Sequence, residues 1–274
     1  MTDRRLTPAN SHVAAAHLKG QVEAARFVEG KWRQISTPMA DILSVPQGPR
    51  DRQALYGEQI LVLEERDGYA FAQAAKDGYV GYVSADCLTH AQEPTHWVSA
   101  AATHLYTMND FKSREAVALS FGSYLTIVAT HERFLETAQG YFVPKPHVRE
   151  VGALFDDPID VAALFLGSPY LWGGNSREGL DCSALVQASL LACGMPCPAD
   201  SDMQEDTLGS LTNDTEMKRG DLLFWKGHVA MVVDSETMIH SNAGAMSTVY
   251  EPIKDGIKRI EAQGDGPVTS HKRL

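Results

Sequence analysis

The chain has 274 residues, 44% of them hydrophobic and 22% charged, which is typical of a globular protein with one large domain or two to three small ones. Its formal net charge of −11 argues against nonspecific nucleic-acid binding, because that binding needs Lys and Arg to neutralise phosphates. The sequence shows neither an apolar run as long as a membrane span nor the apolar core of a signal peptide, and its four cysteines are sparse. We therefore expect a cytoplasmic protein that binds neither nucleic acid nor membrane.

The first half of the chain has the texture of small β modules. Residues 1–35 are predicted to be a lead-in segment, in which the Ala-rich stretch from Ser11 to Arg26 suits a partial helix. Strand-length runs then alternate with turns such as Asp67-Gly68 at about ten-residue spacing, which indicates a small antiparallel barrel. A weaker copy follows, in which Gly122 repeats Gly57. We predict two tandem modules, at 36–92 and 95–149.

From residue 150 the pattern changes, and we predict a third domain over 150–274. A helix is expected over Asp157–Leu166. The strands predicted after it are Leu222–Trp225, His228–Asp234, Met238–Ser241, Val249–Ile253 and a short one near Ile257–Ile260.

The third domain is organised around a helix that begins at Cys182. A glycine-rich loop ends at Asp181, a good N-cap, and apolar residues then recur with helical period until Gly194. A thiol in the first turn of a helix meets the positive end of the helix dipole, which favours the nucleophilic thiolate. On spacing alone, an inert packed cysteine explains the pattern equally well.

Two histidines change that balance. His228 begins one predicted strand and His240 lies in the next, so an antiparallel hairpin would bring them together. A cysteine, a base and a group that orients the base form the arrangement of a nucleophilic enzyme.

These residues carry a resemblance to a known family. The segment Leu180–Val186 reads Leu-Asp-Cys-Ser-Ala-Leu-Val, Gly-Asp-Leu-Leu-Phe-Trp follows at 220–225 with His-Val-Ala at 228–230, and Ile-His stands at 239–240. The three motifs in this order resemble the NlpC/P60 cysteine peptidases, which have a papain-like α+β domain and cut bacterial cell-wall peptides. The preceding modules resemble bacterial SH3-like (SH3b) domains. The resemblance implies an α+β protein with two small SH3-like β-barrels before a papain-like catalytic domain.

The combination resembles, more narrowly, the γ-D-glutamyl-L-diamino-acid endopeptidases, which process murein peptides with a free N-terminal L-Ala. The implied partner is such a peptide, L-Ala-γ-D-Glu-diamino acid, with the preferred diamino acid left open, and neither metal nor cofactor is implied. Cys182 would be the nucleophile, His228 the base, His240 its orienting group and Tyr170 a contributor to the oxyanion site. The positions that match substrate contacts of the family are Asp181, Ser183, Trp172, Ser201, Glu58 and Tyr82.

Each of these residues can also have a purely structural role. Asp181 can be only a cap, Trp172 only core, Glu58 only a solvated charge and Tyr82 only a barrel aromatic. The family often has Arg where this chain has Ala199, which leaves the electrostatics of that loop open. Two other functions also stay open, a papain-like amidase or acyltransferase and a non-catalytic SH3b protein that binds murein peptides.

Overall fold

A computed structural model describes residues 3–212, 214 and 216–274. The chain divides into two compact units, Met1–Val151 and Gly152–Leu274. No helix within the described part of the chain is both long enough and apolar enough to cross a membrane.

The first unit begins with a parallel strand pair and continues into a seven-stranded antiparallel sheet. The pair is β1 (Val13–Ala15) and β2 (Arg26–Val28), separated by a 3₁₀ turn at Ala16–Leu18. The sheet strands are β3 (Lys31–Ile35), β4 (Met39–Leu43), β5 (Arg50–Leu55), β6 (Gln59–Arg66), β7 (Tyr69–Ala74), β8 (Val80–Ser84) and, after a 3₁₀ turn at Ala85–Cys87, β9 (Leu88–His90). Their spatial order is β5-β4-β8-β7-β6-β3-β9.

The segment expected to be a lead-in is part of this module. Strand β3 pairs with β6 and β9, so the sheet begins five residues before the predicted boundary at residue 36. The Ala-rich stretch holds strand β1 and the 3₁₀ turn rather than an α-helix, and Val13 and Ala15 join a core cluster with Leu63, Phe71 and Val80. Burial against the sheet outweighs the helix propensity of alanine here.

A two-residue hairpin confirms one predicted turn. Asp67 and Gly68 connect β6 to β7, with φ of +51° and +80°, and Arg66 pairs with Tyr69 across them. Positive φ at both central positions is what an Asp-Gly hairpin turn requires.

The second β module fills the rest of the first unit. Its strands are β10 (His96–Val98), β11 (Ala102–Tyr106), β12 (Glu115–Ser120), β13 (Tyr124–Leu125), β14 (Ile127–Thr130), β15 (Phe134–Thr137), β16 (Phe142–Pro144) and, after a 3₁₀ turn at Lys145–His147, β17 (Val148–Glu150). They form one sheet of order β12-β11-β16-β15-β14 and another of order β13-β10-β17.

The repeated glycines lie where the two modules meet. Gly57 has φ of +77°, and a Cβ there would overlap the backbone carbonyl of Tyr124. Gly122 has φ of +86°, and the Leu55 side chain lies 3.4 Å from where its Cβ would be. Tyr56 adds its ring to the core cluster of the second module. The weak repeat in the sequence therefore marks the contact of the two modules, where Gly57 lies close to the backbone of Tyr124 and Gly122 lies against the Leu55 side chain.

In the described part of the second unit, four helices pack with a six-stranded antiparallel sheet. Its elements are α1 (Pro158–Ala163), β18 (Asn175–Ser176), β19 (Gly179–Leu180), α2 (Cys182–Ala192), α3 (Ser201–Thr207), β20 (Ser210–Leu211), β21 (Leu222–Trp225), β22 (His228–Val232), β23 (Thr237–Asn242), β24 (Ser247–Pro252), α4 (Ile253–Gln263) and β25 (Ser270–Arg273). The sheet order is β20-β25-β21-β22-β23-β24, and β18 pairs with β19.

Helix α2 is the centre of this unit. It packs on strands β22 and β23 and on helix α1, so nine of its eleven residues are buried. It begins at Cys182, as predicted, and ends at Ala192 before Gly194, whose φ is +76°.

The prediction for residues 257–260 is wrong. This stretch lies in helix α4, not in a strand, because Ile253 and Ile260 face the same core cluster as Trp225 and Met238. Isoleucines seven residues apart suit a helical face, and Gly264 ends the helix with φ of +101°.

Candidate active site

One carboxylate holds the start of helix α2. Asp181 Oδ1 accepts hydrogen bonds from the Ala184 N–H at 2.8 Å and from the Ser183 hydroxyl at 3.0 Å. Its Oδ2 accepts a third from the N–H of Gly173, in the glycine-rich loop, at 3.0 Å. Asp181 is thus the predicted N-cap and also ties the loop to the helix. Since both oxygens are engaged, its contacts support a positioning role more directly than the substrate contact expected from the resemblance.

Cys182 is the first residue of α2 and is only 6% exposed. Burial and the neighbouring Asp181 raise the pKa of its thiol to about 12, although the backbone N–H groups of Val229, Ser183 and Cys182 itself act in the opposite direction. The N–H groups at the helix N-terminus favour the thiolate, as expected, but burial affects the pKa more strongly and in the opposite direction. The sulfur keeps its proton near neutral pH, so attack requires a base.

Two histidines lie on the adjacent strands β22 and β23, against which the helix of Cys182 packs. Strands β22 and β23 pair with Met231 opposite Ile239, which makes His228 and His240 diagonal neighbours on one face. The His228 Nε2 and His240 Nδ1 atoms are 2.9 Å apart, so the predicted meeting of the two rings is confirmed. The N–H of Val229 donates to the Cys182 sulfur. His228 precedes Val229 in the chain, so the first residue of β22 lies close to Cys182. The ring nitrogen of His228 that His240 leaves unoccupied is Nδ1.

Both histidines are neutral near pH 7. Burial lowers the pKa of His228 to about 3, and His240 and Arg259 add to the effect. Burial also lowers the pKa of His240 to about 4, against the opposing attraction of Glu251. Trp225 contributes to the burial, since its ring lies 5.6 Å from that of His228. A neutral imidazole has one bare nitrogen and can accept a proton.

The hydrogen-bonded chain of side chains extends from His240 to three residues that the sequence did not predict, Asn242, Glu251 and Arg259. His240 Nε2 lies 2.8 Å from Glu251 Oε2 and 2.9 Å from Asn242 Nδ2. Arg259 binds Glu251 through two nitrogens, Nε to Oε1 at 2.9 Å and Nη2 to Oε2 at 2.7 Å. Val249 is opposite His240 in the β23–β24 hairpin, so Glu251 is a diagonal neighbour of His240. The short connection between the predicted strands Met238–Ser241 and Val249–Ile253 indicates a hairpin, and that hairpin would have predicted Glu251 as a neighbour of His240.

Tyr170 belongs to the same surroundings. Its backbone N–H donates to Met246 O at 3.0 Å, and Tyr170 forms a β-bridge to Leu180, two residues before Cys182. Burial raises the pKa of the Tyr170 phenol, and the neighbouring Cys182 and Asp181 raise it further. The hydroxyl therefore stays protonated, as a hydrogen-bond donor to an oxyanion must be.

Comparison with known proteins decides the family. Residues 167–259 match the model of the NlpC/P60 family, and residues 43–88 match that of the bacterial dipeptidyl-peptidase Sh3 domain. The chain is 32% identical over 241 residues to the gamma-D-glutamyl-L-lysine dipeptidyl-peptidase of Bacillus subtilis (strain 168), covering 76% of this chain and 80% of that protein. The protein belongs to the NlpC/P60 family.

Two further matches agree with this assignment. The chain is 26% identical over 217 residues to dipeptidyl-peptidase 6 of Lysinibacillus sphaericus, covering 70% of this chain and 80% of the relative. The fold resembles the crystal structure of an NlpC/P60 family protein from Bacillus cereus ATCC 10987, with a TM-score of 0.74, 20% identity and coverage of 89% and 99% of the two chains. The α+β class and the SH3 character of the first module are thus established, whereas the SH3 character of the second module stays a prediction.

The other residues expected to contact substrate in the NlpC/P60 unit differ in exposure. Trp172 lies on the glycine-rich loop and is 69% exposed, so it is not part of the core. Ser183 is buried, and its hydroxyl serves the Asp181 carboxylate. Ser201 is half-buried at the start of α3. In the same helix, the Gln204 amide donates to the Ser183 carbonyl at 2.9 Å and ties the loop before α3 to α2.

Glu58 and Tyr82, in the first unit, do not share one pocket. Glu58 is 4% exposed, and its Oε1 lies 2.8 Å from the Lys76 ammonium. The Tyr82 hydroxyl accepts from the Asn10 amide at 3.1 Å. Tyr82 is in register with Phe71 and, through it, with Glu64 of β6, whereas Glu58 lies six residues earlier, just before β6 begins. At the rise of a strand this is roughly 20 Å. Both side chains thus have internal partners, and their roles as substrate contacts stay predictions.

The cluster in the second unit has the parts of a thiol hydrolase. The Cys182 sulfur lies at a helix N-terminus that packs on the strand of His228. The His228 ring contacts a second imidazole, His240, and that second ring contacts a carboxylate, Glu251. Within the described ranges, no three His, Cys, Asp or Glu side chains are grouped so as to hold a metal ion.

Proposed function

We propose that the protein is a cysteine peptidase that hydrolyses the bond between γ-D-Glu and the diamino acid of murein peptides that have a free N-terminal L-Ala. One observation carries the catalytic part, namely the contact of His228 Nε2 with His240 at 2.9 Å beside the buried Cys182 thiol. The substrate part is supported by the relatives, one named a gamma-D-glutamyl-L-lysine dipeptidyl-peptidase and one named a dipeptidyl-peptidase. L-Ala-γ-D-Glu is itself a dipeptide that ends at the glutamyl bond.

The first chemical step forms a thioester. As the Cys182 sulfur attacks the γ-carbonyl carbon, its proton moves to Nδ1 of His228. The carbonyl oxygen becomes an oxyanion, which the Cys182 backbone N–H and the Tyr170 hydroxyl stabilise. His228 then gives the proton to the departing amine of the diamino acid, and the carbon–nitrogen bond breaks. Thiol and imidazole both start neutral, so charge separates only as the reaction proceeds.

The second step regenerates the enzyme. His228 takes a proton from water, the hydroxide adds to the thioester, and the sulfur leaves and recovers a proton from His228. Products are L-Ala-D-Glu and the free diamino acid or the peptide that begins with it. The reaction consumes one water molecule for each bond cleaved and needs no other co-reactant.

Mass analysis of products tests the proposal. The protein is incubated with L-Ala-γ-D-Glu-diaminopimelate, and we expect release of the dipeptide from the free-amine form but not from an N-acetylated form. Cys182→Ala should lower turnover by several orders of magnitude. Cys193→Ala is the matched control, because this thiol caps the other end of the same helix.

Other outcomes would identify a different function. Transfer of the dipeptide to an added amine in preference to water would indicate an acyltransferase. Binding of the peptide without turnover, with no labelling of Cys182 by a thiol-directed probe, would indicate a non-catalytic module. Equal cleavage of acetylated and free-amine peptides would remove the free L-Ala requirement from the proposal.

The cytoplasm remains our proposed location. Its support is chemical, since all four cysteines are free thiols, which suits a reducing compartment. Cell fractionation with an antibody to the native protein tests it, and recovery outside the cytoplasmic fraction would refute it.

A further inference from the structure

Two groups compete for one nitrogen of His240. Glu251 Oε2 lies 2.8 Å from Nε2 and can only accept a hydrogen bond when ionised. Asn242 Nδ2 lies 2.9 Å from the same nitrogen and can only donate. The orientation of the Asn242 amide is determined, because its Oδ1 accepts from the Ala245 N–H at 2.8 Å. A neutral ring cannot satisfy both groups.

Which of the two groups bonds to Nε2 of His240 determines whether His228 can act as a base. If Nε2 of His240 carries the proton and donates to Glu251, its Nδ1 accepts from Nε2–H of His228, and Nδ1 of His228 is bare. If Nε2 instead accepts from Asn242, the proton of His240 is on Nδ1 and is donated to His228. The proton of His228 is then on Nδ1, where it blocks transfer from the thiol. Only the first arrangement can remove the proton of Cys182.

The structure favours the hydrogen bond of His240 to Glu251. Arg259 binds the carboxylate with two nitrogens and holds the pKa of Glu251 below its usual range, so this contact is charge-assisted. Arg259 is itself held by Gln263, four residues on in α4, at 2.9 Å. A Cβ at Gly244 would lie 2.6 Å from Arg259 Nη1, so a side chain there would displace the guanidinium.

We propose that Glu251, held by Arg259, is a positioning residue that selects the tautomer of both histidines, against the opposing amide of Asn242, and so leaves Nδ1 of His228 bare. The consequence for turnover rests on the proposed peptidase function. The proton arrangement itself does not, and it can be measured without substrate.

Long-range proton–nitrogen NMR of the full chain with ¹⁵N-labelled histidine reads the tautomers directly. In the wild type we expect Nε2–H on both His228 and His240. Glu251→Ala should move the proton of His240 to Nδ1, because Asn242 then has no competitor. The double variant Glu251→Ala/Asn242→Asp should restore Nε2–H, since an aspartate has the shape of asparagine but only accepts.

Kinetics with the free-amine peptide gives the functional readout. Glu251→Ala should lower kcat roughly a hundredfold or more, as expected for a wrong tautomer, with KM within about threefold. Adding Asn242→Asp should recover at least about tenfold of kcat, which a merely structural role of Glu251 would not allow. Asn242→Ala alone should change kcat by less than about threefold. Glu261→Gln, on the exposed side of α4, is the matched control and should leave both constants unchanged.

The outcomes separate the two proposals. A wild-type spectrum with Nδ1–H on His240 overturns the tautomer assignment even if the peptide is cleaved, and needs no variant to fold. The expected spectra with no cleavage of the peptide support the tautomer assignment and refute the peptidase proposal. A Glu251→Ala protein that retains the wild-type tautomers, or a double variant with no recovery, overturns the role of Glu251.

Discussion

The buried ion pair of the first unit yields a sharp prediction about Glu58. The resemblance suggested a substrate ligand, but the structure gives this carboxylate an internal partner, the Lys76 ammonium at 2.8 Å. The Glu58 side chain is 5% exposed and that of Lys76 is 19% exposed. Glu58→Ala therefore leaves a largely buried cation without its partner.

The magnitude follows from that burial. Removing one member of a fully buried pair costs roughly 3–5 kcal/mol, and the partial exposure of Lys76 lets water recover part of this. We expect Glu58→Ala to lower the free energy of unfolding by about 2 kcal/mol, measured by urea denaturation at constant m-value. Because apolar replacement of both members is often tolerated, Glu58→Met/Lys76→Met should recover most of the loss.

The same variants decide between a structural and a substrate role. If Glu58 bound the substrate ammonium, Lys76→Met would release the carboxylate and raise kcat/KM for the free-amine peptide. If the pair is structural, neither single variant changes the preference for free-amine over acetylated peptide. A loss of stability below about 0.5 kcal/mol in Glu58→Ala, the value of an ordinary surface charge, would refute the reasoning.

Three further predictions follow from the described contacts. His240→Ala should reduce kcat strongly but less than Cys182→Ala, and His240→Gln should recover part of it; equal activity of Ala and Gln variants would contradict the orienting role. Stability should fall from pH 6.5 towards pH 4, because His228 and His240 have folded pKa values of about 3 and about 4 against 6.5 for the unfolded chain. The unfolded state therefore binds more protons than the folded state in this window. As the pH falls, the free energy of unfolding decreases by up to roughly 1.4 kcal/mol per pH unit for each ring. Urea unfolding at the two pH values checks this, and an equal slope in His240→Gln would contradict it. Gly57→Ala should cost about 1–3 kcal/mol more than Gly140→Ala, because both glycines have φ near +78° but only Gly57 faces a backbone carbonyl across the module contact; equal melting shifts would refute the close approach.

Local patterns in the sequence were enough for several elements. The apolar period after Asp181 determined helix α2, since its cap and its terminating glycine are local features. The Asp67-Gly68 pair specified its hairpin because positive φ is needed at both positions. The order of three short motifs pointed to the family before any packing was known.

Tertiary structure decided the properties that depend on burial and on distant partners. The thiol of Cys182 is predicted from its helix to ionise readily, yet its surroundings raise its pKa to about 12. Glu58 meets Lys76, 18 residues away, only through the fold of the sheet. Residues 257–260 form a helix because their isoleucines face a core that distant strands supply.

The hydrogen-bonded residues around His228 and His240 show both levels. Cys182 and His228 were found from the sequence because each stands at a recognisable element start, a helix N-terminus and the first residue of a strand. Glu251 and Arg259 were not, because neither belongs to a motif and their role arises only where β24 and α4 meet His240. A local pattern specifies which element a residue occupies, whereas hydrogen-bond partners and desolvation depend on which elements the fold brings together.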